Sequence, residues 1–187
     1  MQAGDAKTTA VSRVSRFNAQ LDKPRSSWVR GTLLTLLLMG ILACTPEATD
    51  EVQSLSGAKV TLSGSDWLVV NYWAEWCGPC RHEIPELNEL DGYMGDAKPG
   101  LSVRVLGVNY DGLRDQKLRD VSERMGIGFD VLLDDPRQRW GQEIPTVLPS
   151  TYLIAPGGDF VETLLGPQTR AGILSRIETL IAQRPES

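Results

Sequence analysis

The segment that most restricts what this chain can become is WLVVNYWA, residues 67–74, followed almost at once by Cys77-Gly78-Pro79-Cys80. The unbroken apolar run with β-branched residues reads as a buried strand. Beyond it, Ile84, Leu87 and Leu90 recur at helical spacing, with Glu83, Glu86 and Glu89 read as exposed between them. A strand turning directly into a helix places Cys77 at the helix N-terminus. Unpaired backbone N–H groups and the positive end of the helix dipole favour a thiolate there. Cys80 falls about one turn further on, on nearly the same face and within disulfide reach. Pro79 is tolerated because first-turn N–H groups lack partners anyway, and Gly78 leaves the Cys77 sulfur unobstructed.

Three readings of the pair compete: half a metal site, a static disulfide, or a redox couple. The chain has three cysteines, Cys44, Cys77 and Cys80, and one histidine, His82. A structural zinc site takes four Cys/His ligands; Cys77, Cys80 and His82 supply three, so no metal is expected. A static disulfide across so short a loop constrains the unfolded chain little. The redox reading uses both positions. Thiolate Cys77 attacks a substrate disulfide, and Cys80 resolves the mixed disulfide to leave an oxidised Cys77–Cys80 pair, with no cofactor.

The N-terminal region accounts for the third cysteine. Arg25 and Arg30 precede the apolar run Gly31 to Ala43, which ends at Cys44. Thirteen residues are too few for a bilayer core, which takes about 20 in a helix, but they suit a secretory signal. Ile41-Leu42-Ala43-Cys44 resembles a bacterial lipobox, which implies cleavage before Cys44, its lipidation and attachment to a membrane. An ordinary cleavable signal or an uncleaved signal anchor are the alternatives. Residues 1–43 carry six Lys/Arg against two Asp/Glu, and residues 44–187 carry thirteen against twenty-two. An acidic domain without basic blocks is a poor nucleic-acid binder. Residues 44–56, small and polar, read as a tether, 57–184 as the folded domain and 185–187 as a tail.

Within that domain, strands at 67–74, 101–109 and 129–134 alternate with helices after Cys77 and over 113–126. A hairpin, 150–155 with 159–166, turns at Pro156-Gly157-Gly158. The last helix has Ile173, Leu174, Ile177, Leu180 and Ile181 as its core face. This order implies an α/β fold: a central mixed, mostly parallel sheet with helices on both faces.

NYWAEWCGPCRHEIPELNEL (71–90), VLGVNYD (105–111) and LPSTYLI (148–154) together resemble the thioredoxin superfamily, specifically its TlpA/ResA/CcmG-like branch. These are membrane-tethered bacterial thiol–disulfide oxidoreductases facing the periplasm or the cell exterior. The resemblance implies a thioredoxin-like fold over roughly residues 56–183. It implies a cis-proline at Pro149 beside the sulfurs, with nearby Pro145 the alternative. It also implies protein disulfides as substrates, including those of apocytochrome c, and a membrane electron donor of the DsbD/CcdA type. A monomer is expected. An oxidase, an isomerase or a non-catalytic lipoprotein of this fold are the competing roles.

One departure bears on mechanism. Thioredoxins carry a buried aspartate where this chain has Asn71, and an amide cannot act as a base. Glu75 and Glu83 are candidates by sequence proximity, both otherwise read, like His82, as solvated surface groups. Trp73, on the strand, is assigned to core packing. Trp76, next to Cys77, is assigned to shielding the sulfur and to the docking surface.

Overall fold

The computed structural model describes residues 50–95 and 101–183. In chain order its elements are β1 (Glu51–Gln53), β2 (Lys59–Thr61), β3 (Trp67–Trp73), α1 (Gly78–Leu90), β4 (Tyr93–Met94), β5 (Ser102–Asn109), α2 (Asp115–Met125), β6 (Asp130–Val131), a 3-10 helix (Arg137–Trp140), β7 (Ser150–Ile154), β8 (Phe160–Leu165) and α3 (Arg170–Gln183). The signal segment, Cys44 and residues 185–187 lie outside the described residues.

β3 is the central strand, and all seven of its residues are buried. It lies parallel to β5, from Trp67 opposite Val103 to Trp73 opposite Asn109. On its other side it lies antiparallel to β7. The main sheet runs β4-β5-β3-β7-β8, with β6 also paired to β5. The expectation of a mostly parallel sheet does not hold. Among the described residues only β3–β5 and β5–β6 are parallel, whereas β4–β5, β3–β7 and β7–β8 are antiparallel. Parallel pairing needs a helical crossover. α1 and α2 supply the two that exist, while β7 arrives by a long loop and β8 by a tight turn.

Alternation along β3 divides the core. Trp67 and Val69 pack with Leu87 and Leu90 of α1 and with Ile173 and Ile177 of α3. Leu68, Val70 and Tyr72 face a second cluster closed by Val60 and Leu62 of the β1–β2 hairpin region, with Trp140 at its margin. A hairpin and a 3-10 turn thus close the second face, where helices were expected. α2 packs Leu118, Val121 and Met125 against Trp73, Cys80 and Ile84. Ile181, assigned to the core face of α3, is 42% exposed; the stripe that reaches the sheet is narrower than the run of apolar residues.

The polar stretch 44–56 is not all tether. From Asp50 onward it belongs to the domain: β1 pairs antiparallel with β2, Ser54 bridges Leu132, and the Leu55 N–H donates to the Val131 carbonyl at 2.7 Å. β6 is two residues long and would leave an open sheet edge, which this segment covers. Backbone pairing, not side-chain polarity, decides its place.

Gly107 shows how tightly the sheet is closed below the cysteines. A Cβ there would stand 2.9 Å from Phe129 Cε2 and 3.0 Å from Trp73 Nε1, and both rings are buried. Neither can swing aside. Gly107→Ala is expected to destabilise the domain by about 1–3 kcal/mol, the usual range for overpacking, read as a lower midpoint in urea with unchanged slope. An unchanged midpoint would show that the rings have room to give.

Candidate active site

Cys77 is the N-cap of α1, with extended backbone (φ −80°, ψ 101°), and its sulfur accepts the Cys80 N–H at 3.2 Å. The chain enters this cap through a tight turn in which the Cys77 N–H donates to the Ala74 carbonyl at 3.1 Å. Cys77 and Cys80 are joined as a disulfide with their Cα atoms 5.3 Å apart. Pro79 stands in the first turn. A Cβ on Gly78 would meet nothing within 4 Å, so packing does not demand glycine there. Cys77 is 4% exposed and Cys80 fully buried: the attacking sulfur lies nearer the surface and the resolving sulfur beneath it.

Pro149 is buried at the start of β7, and the Leu148–Pro149 peptide bond is cis. Leu148 packs against the cluster containing both cysteines. The Pro149 carbonyl accepts the Gly166 N–H at 2.9 Å, tying the segment to the end of β8. Pro145 is buried as well. Trp73 is fully buried and Trp76 is 65% exposed. The Trp76 indole N–H donates to both carboxylate oxygens of Asp111 at 3.1 Å, and its ring meets Tyr110 edge-on. An exposed ring held from two sides keeps its place beside Cys77.

Glu83 is not the solvated charge its sequence position suggested. It is 1% exposed and lies between α1 and the sheet. Asn71 Nδ2 donates to its Oε2 at 3.0 Å, and the Gln168 backbone N–H donates to its Oε1 at 3.1 Å. Asn71 Nδ2 also donates to Thr151 Oγ1 at 3.0 Å. Burial pushes the Glu83 carboxyl up from 4.5 to about 7, against the hydrogen bonds from Gln168, Asn71 and Thr151. The amide at position 71 is therefore not the end of proton chemistry at the site, because α1 supplies a buried carboxylate to the same space. Glu83 follows Cys80 by three residues, so the two share a helix face. Glu75, the other candidate, is held at the surface by Arg124 at 2.9 Å.

Thr151 and Gln168 have no sequence signature and are found only through the fold. Glu83 had one. Cys80, Glu83, Leu87 and Leu90 fall on a single helical stripe, and a carboxylate on the apolar stripe of a helix is buried or it breaks the pattern.

A βα turn holding Cys-x-x-Cys at a helix N-cap, with Leu148 of the cis Leu148–Pro149 pair packed on the same cluster as both cysteines, defines a thioredoxin-fold dithiol–disulfide site on a mixed sheet. The model of the AhpC/TSA family matches residues 41–162, and the chain belongs to that family. It is 30% identical over 111 residues to the thiol-disulfide oxidoreductase ResA of Geobacillus kaustophilus, covering 59% of this chain and 61% of the relative. It is 32% identical over 134 residues to the thiol:disulfide interchange protein DsbE homolog of Paracoccus denitrificans, covering 70% and 63%. The match thus spans a little under two thirds of these relatives' length. Among solved structures, StoA from Bacillus subtilis superposes with a TM-score of 0.52 at 21% identity, over 67% of this chain and 92% of that one, a likeness of fold.

Proposed function

We propose that this protein is a thiol–disulfide oxidoreductase that reduces protein disulfides through Cys77 and Cys80. The observation that carries the reading is the pair's placement: Cys77 at the α1 N-cap, Cys80 buried behind it, and the Glu83 carboxyl on the same helix face. Reduced Cys77, as thiolate, attacks one sulfur of a substrate disulfide. That S–S bond breaks, a mixed disulfide forms, and the first substrate thiolate leaves. Cys80 gives its proton to the Glu83 carboxylate and attacks the Cys77 sulfur. The mixed disulfide breaks, Cys77–Cys80 forms, and the second substrate thiolate leaves and takes up the proton. Two electrons pass from the dithiol to the substrate. Names of the relatives, both thiol–disulfide exchange proteins, support the reading.

The direct test is turbidity in an insulin-reduction assay driven by a low-molecular-weight dithiol. Acceleration over the dithiol alone is the expected result, and its absence would leave a non-catalytic protein of this fold. Oxidase and isomerase are the alternative roles. Equilibration with glutathione buffers separates them: a potential near the −270 mV of thioredoxin favours reduction, and one near −120 mV favours oxidation.

Lipid attachment at Cys44 holds the enzyme to a membrane on its extracytoplasmic side, where a DsbD/CcdA-type conduit recharges the pair. Apocytochrome c is one substrate consistent with this placement. The lipobox-like Ile41-Leu42-Ala43-Cys44 supports the anchor. Mass spectrometry of the protein from its native membrane is expected to show residues 1–43 removed and Cys44 acylated; an intact chain upstream of Cys44 would refute it.

Reactivity of the two thiols follows from their depth. In the reduced protein Cys77 is expected to alkylate well before Cys80, and to titrate below the ~8.5 of a free thiol because it caps a helix. Timed iodoacetamide labelling with peptide mapping reads the order directly, and faster labelling of Cys80 would exchange the two roles.

A further inference from the structure

Beside Cys77, and continuous with it through the chain, lies an open groove of about 560 Å³ lined by Glu75, Trp76, Arg81, Asp111, Leu113 and Lys117. Of its carboxylates, Glu75 is paired with Arg124, while Asp111 keeps its charge and accepts the neutral Trp76 indole N–H. Its cations are in no ion pair among the described residues. Lys117 carries no ion pair or hydrogen bond among the described residues, and Arg81 gives one N–H to the neutral Glu75 carbonyl at 2.6 Å. The ammonium offers three donors, and the guanidinium keeps four of its five. Free positive charge beside the attacking sulfur is unexpected where residues 44–187 carry thirteen Lys/Arg against twenty-two Asp/Glu.

The other side of the disulfide differs. Val147 and Leu165 are 47% and 65% exposed; Val147 adjoins the Leu148–Pro149 pair, and Leu165 lies opposite Ser150 across the β7–β8 ladder. The surround is therefore bipartite: on the Trp76 side Arg81 and Lys117 outnumber Asp111, the one groove carboxylate not paired with a cation, and the Pro149 side is apolar.

We propose that the preferred substrate is a polypeptide disulfide whose cysteine lies next to an acidic segment, with the carboxylates seated on Arg81 and Lys117 and apolar residues beyond the cysteine resting on Val147 and Leu165. This rests on the oxidoreductase reading and adds the substrate's chemistry to it. Fixed charges around the sulfur act mainly on encounter rate and on rejection of mismatched partners. They are screened by salt, since the Debye length is about 8 Å at physiological ionic strength. The apolar shoulder favours an extended chain over a small anion such as glutathione disulfide.

The test compares four disulfides with the full-length protein: a peptide disulfide with Glu at the two positions flanking each cysteine, the same peptide with Lys there, glutathione disulfide, and uncharged hydroxyethyl disulfide. The Glu peptide is expected to be reduced with about fivefold greater kcat/KM than the Lys peptide, within the range of exposed ion pairs. That ratio is expected to collapse in 0.5 M salt and to invert in Lys117→Glu, with the hydroxyethyl disulfide rate unchanged in the variant. Equal rates for the two peptides, a preference that survives Lys117→Glu, or glutathione disulfide as the better substrate would each overturn the proposal. Failure to reduce even hydroxyethyl disulfide would instead overturn the oxidoreductase reading on which it rests.

Discussion

Cys77→Ser is expected to bring insulin reduction down to the rate of the free dithiol, whereas Cys80→Ser leaves the first attack intact and accumulates a mixed disulfide. Both follow from position. Only Cys77 caps the helix, so only its sulfur has the orphan N–H groups of α1 aimed at it. Only Cys80 lies behind that sulfur in the fully buried layer, facing Glu83 along one helix stripe. A serine is close to isosteric in either place, so the fold should survive. Circular dichroism would show matching spectra, and the loss would then be chemical. Non-reducing gels with mass spectrometry read the trapped adducts. Adducts formed with Cys77→Ser, and none with Cys80→Ser, would reverse the assignment.

Why these roles were legible before the structure, and others were not, comes down to which interactions are local. The strand, the turn and the helix around WCGPC are set by consecutive residues: an apolar run, Gly-Pro, then apolar positions at helical spacing. That is a continuous pattern which the sequence displays. The α2 boundaries were legible for the same reason: Gly126 ends the helix in the left-handed conformation (φ 71°), which glycine adopts without penalty. The strand directions were less so. β4 and β6 are two residues each, and no periodicity can be read from two residues. β1 has a single apolar residue, Val52, and gains its place by pairing with β2 and leading into Leu55, which covers the β6 edge, contacts the sequence does not encode locally. Glu83 was the instructive failure. It follows the exposed Arg81 and His82, and glutamate is seldom fully buried. What holds it there, Asn71, Thr151 and the Gln168 backbone, comes from three distant parts of the chain.

Glu83→Gln is expected to make the domain more stable above neutral pH and, at the same time, to slow disulfide resolution. The sign follows from linkage. Burial raises the folded-state carboxyl to about 7 against 4.5 for the free side chain. Between those values the folded chain holds a proton that the unfolded chain has released, so stability falls as pH rises from about 4.5 to about 7 and levels off above. The loss over that window is about 3 kcal/mol at most. Glutamine removes it while keeping the shape. Its carbonyl can still accept from Gln168 and Thr151, and its amide needs an acceptor where Asn71 Nδ2 now donates. Asn71 can provide one: its Oδ1 is buried with no hydrogen-bond partner, and a half-turn of that amide brings the oxygen round to face position 83, at the expense of the Nδ2 bond to Thr151 Oγ1. The variant-minus-wild-type unfolding free energy should therefore climb from its pH 4.5 value through pH 7, a difference curve in which the other titrating groups cancel. Catalysis should move the opposite way. Without the carboxylate, Cys80 loses its proton acceptor, so the rate at which a preformed Cys77 mixed disulfide resolves should fall and lose its dependence on a group titrating near 7. A difference curve flat from pH 4.5 to 8, together with an unchanged pH profile for resolution, would separate Glu83 from both roles.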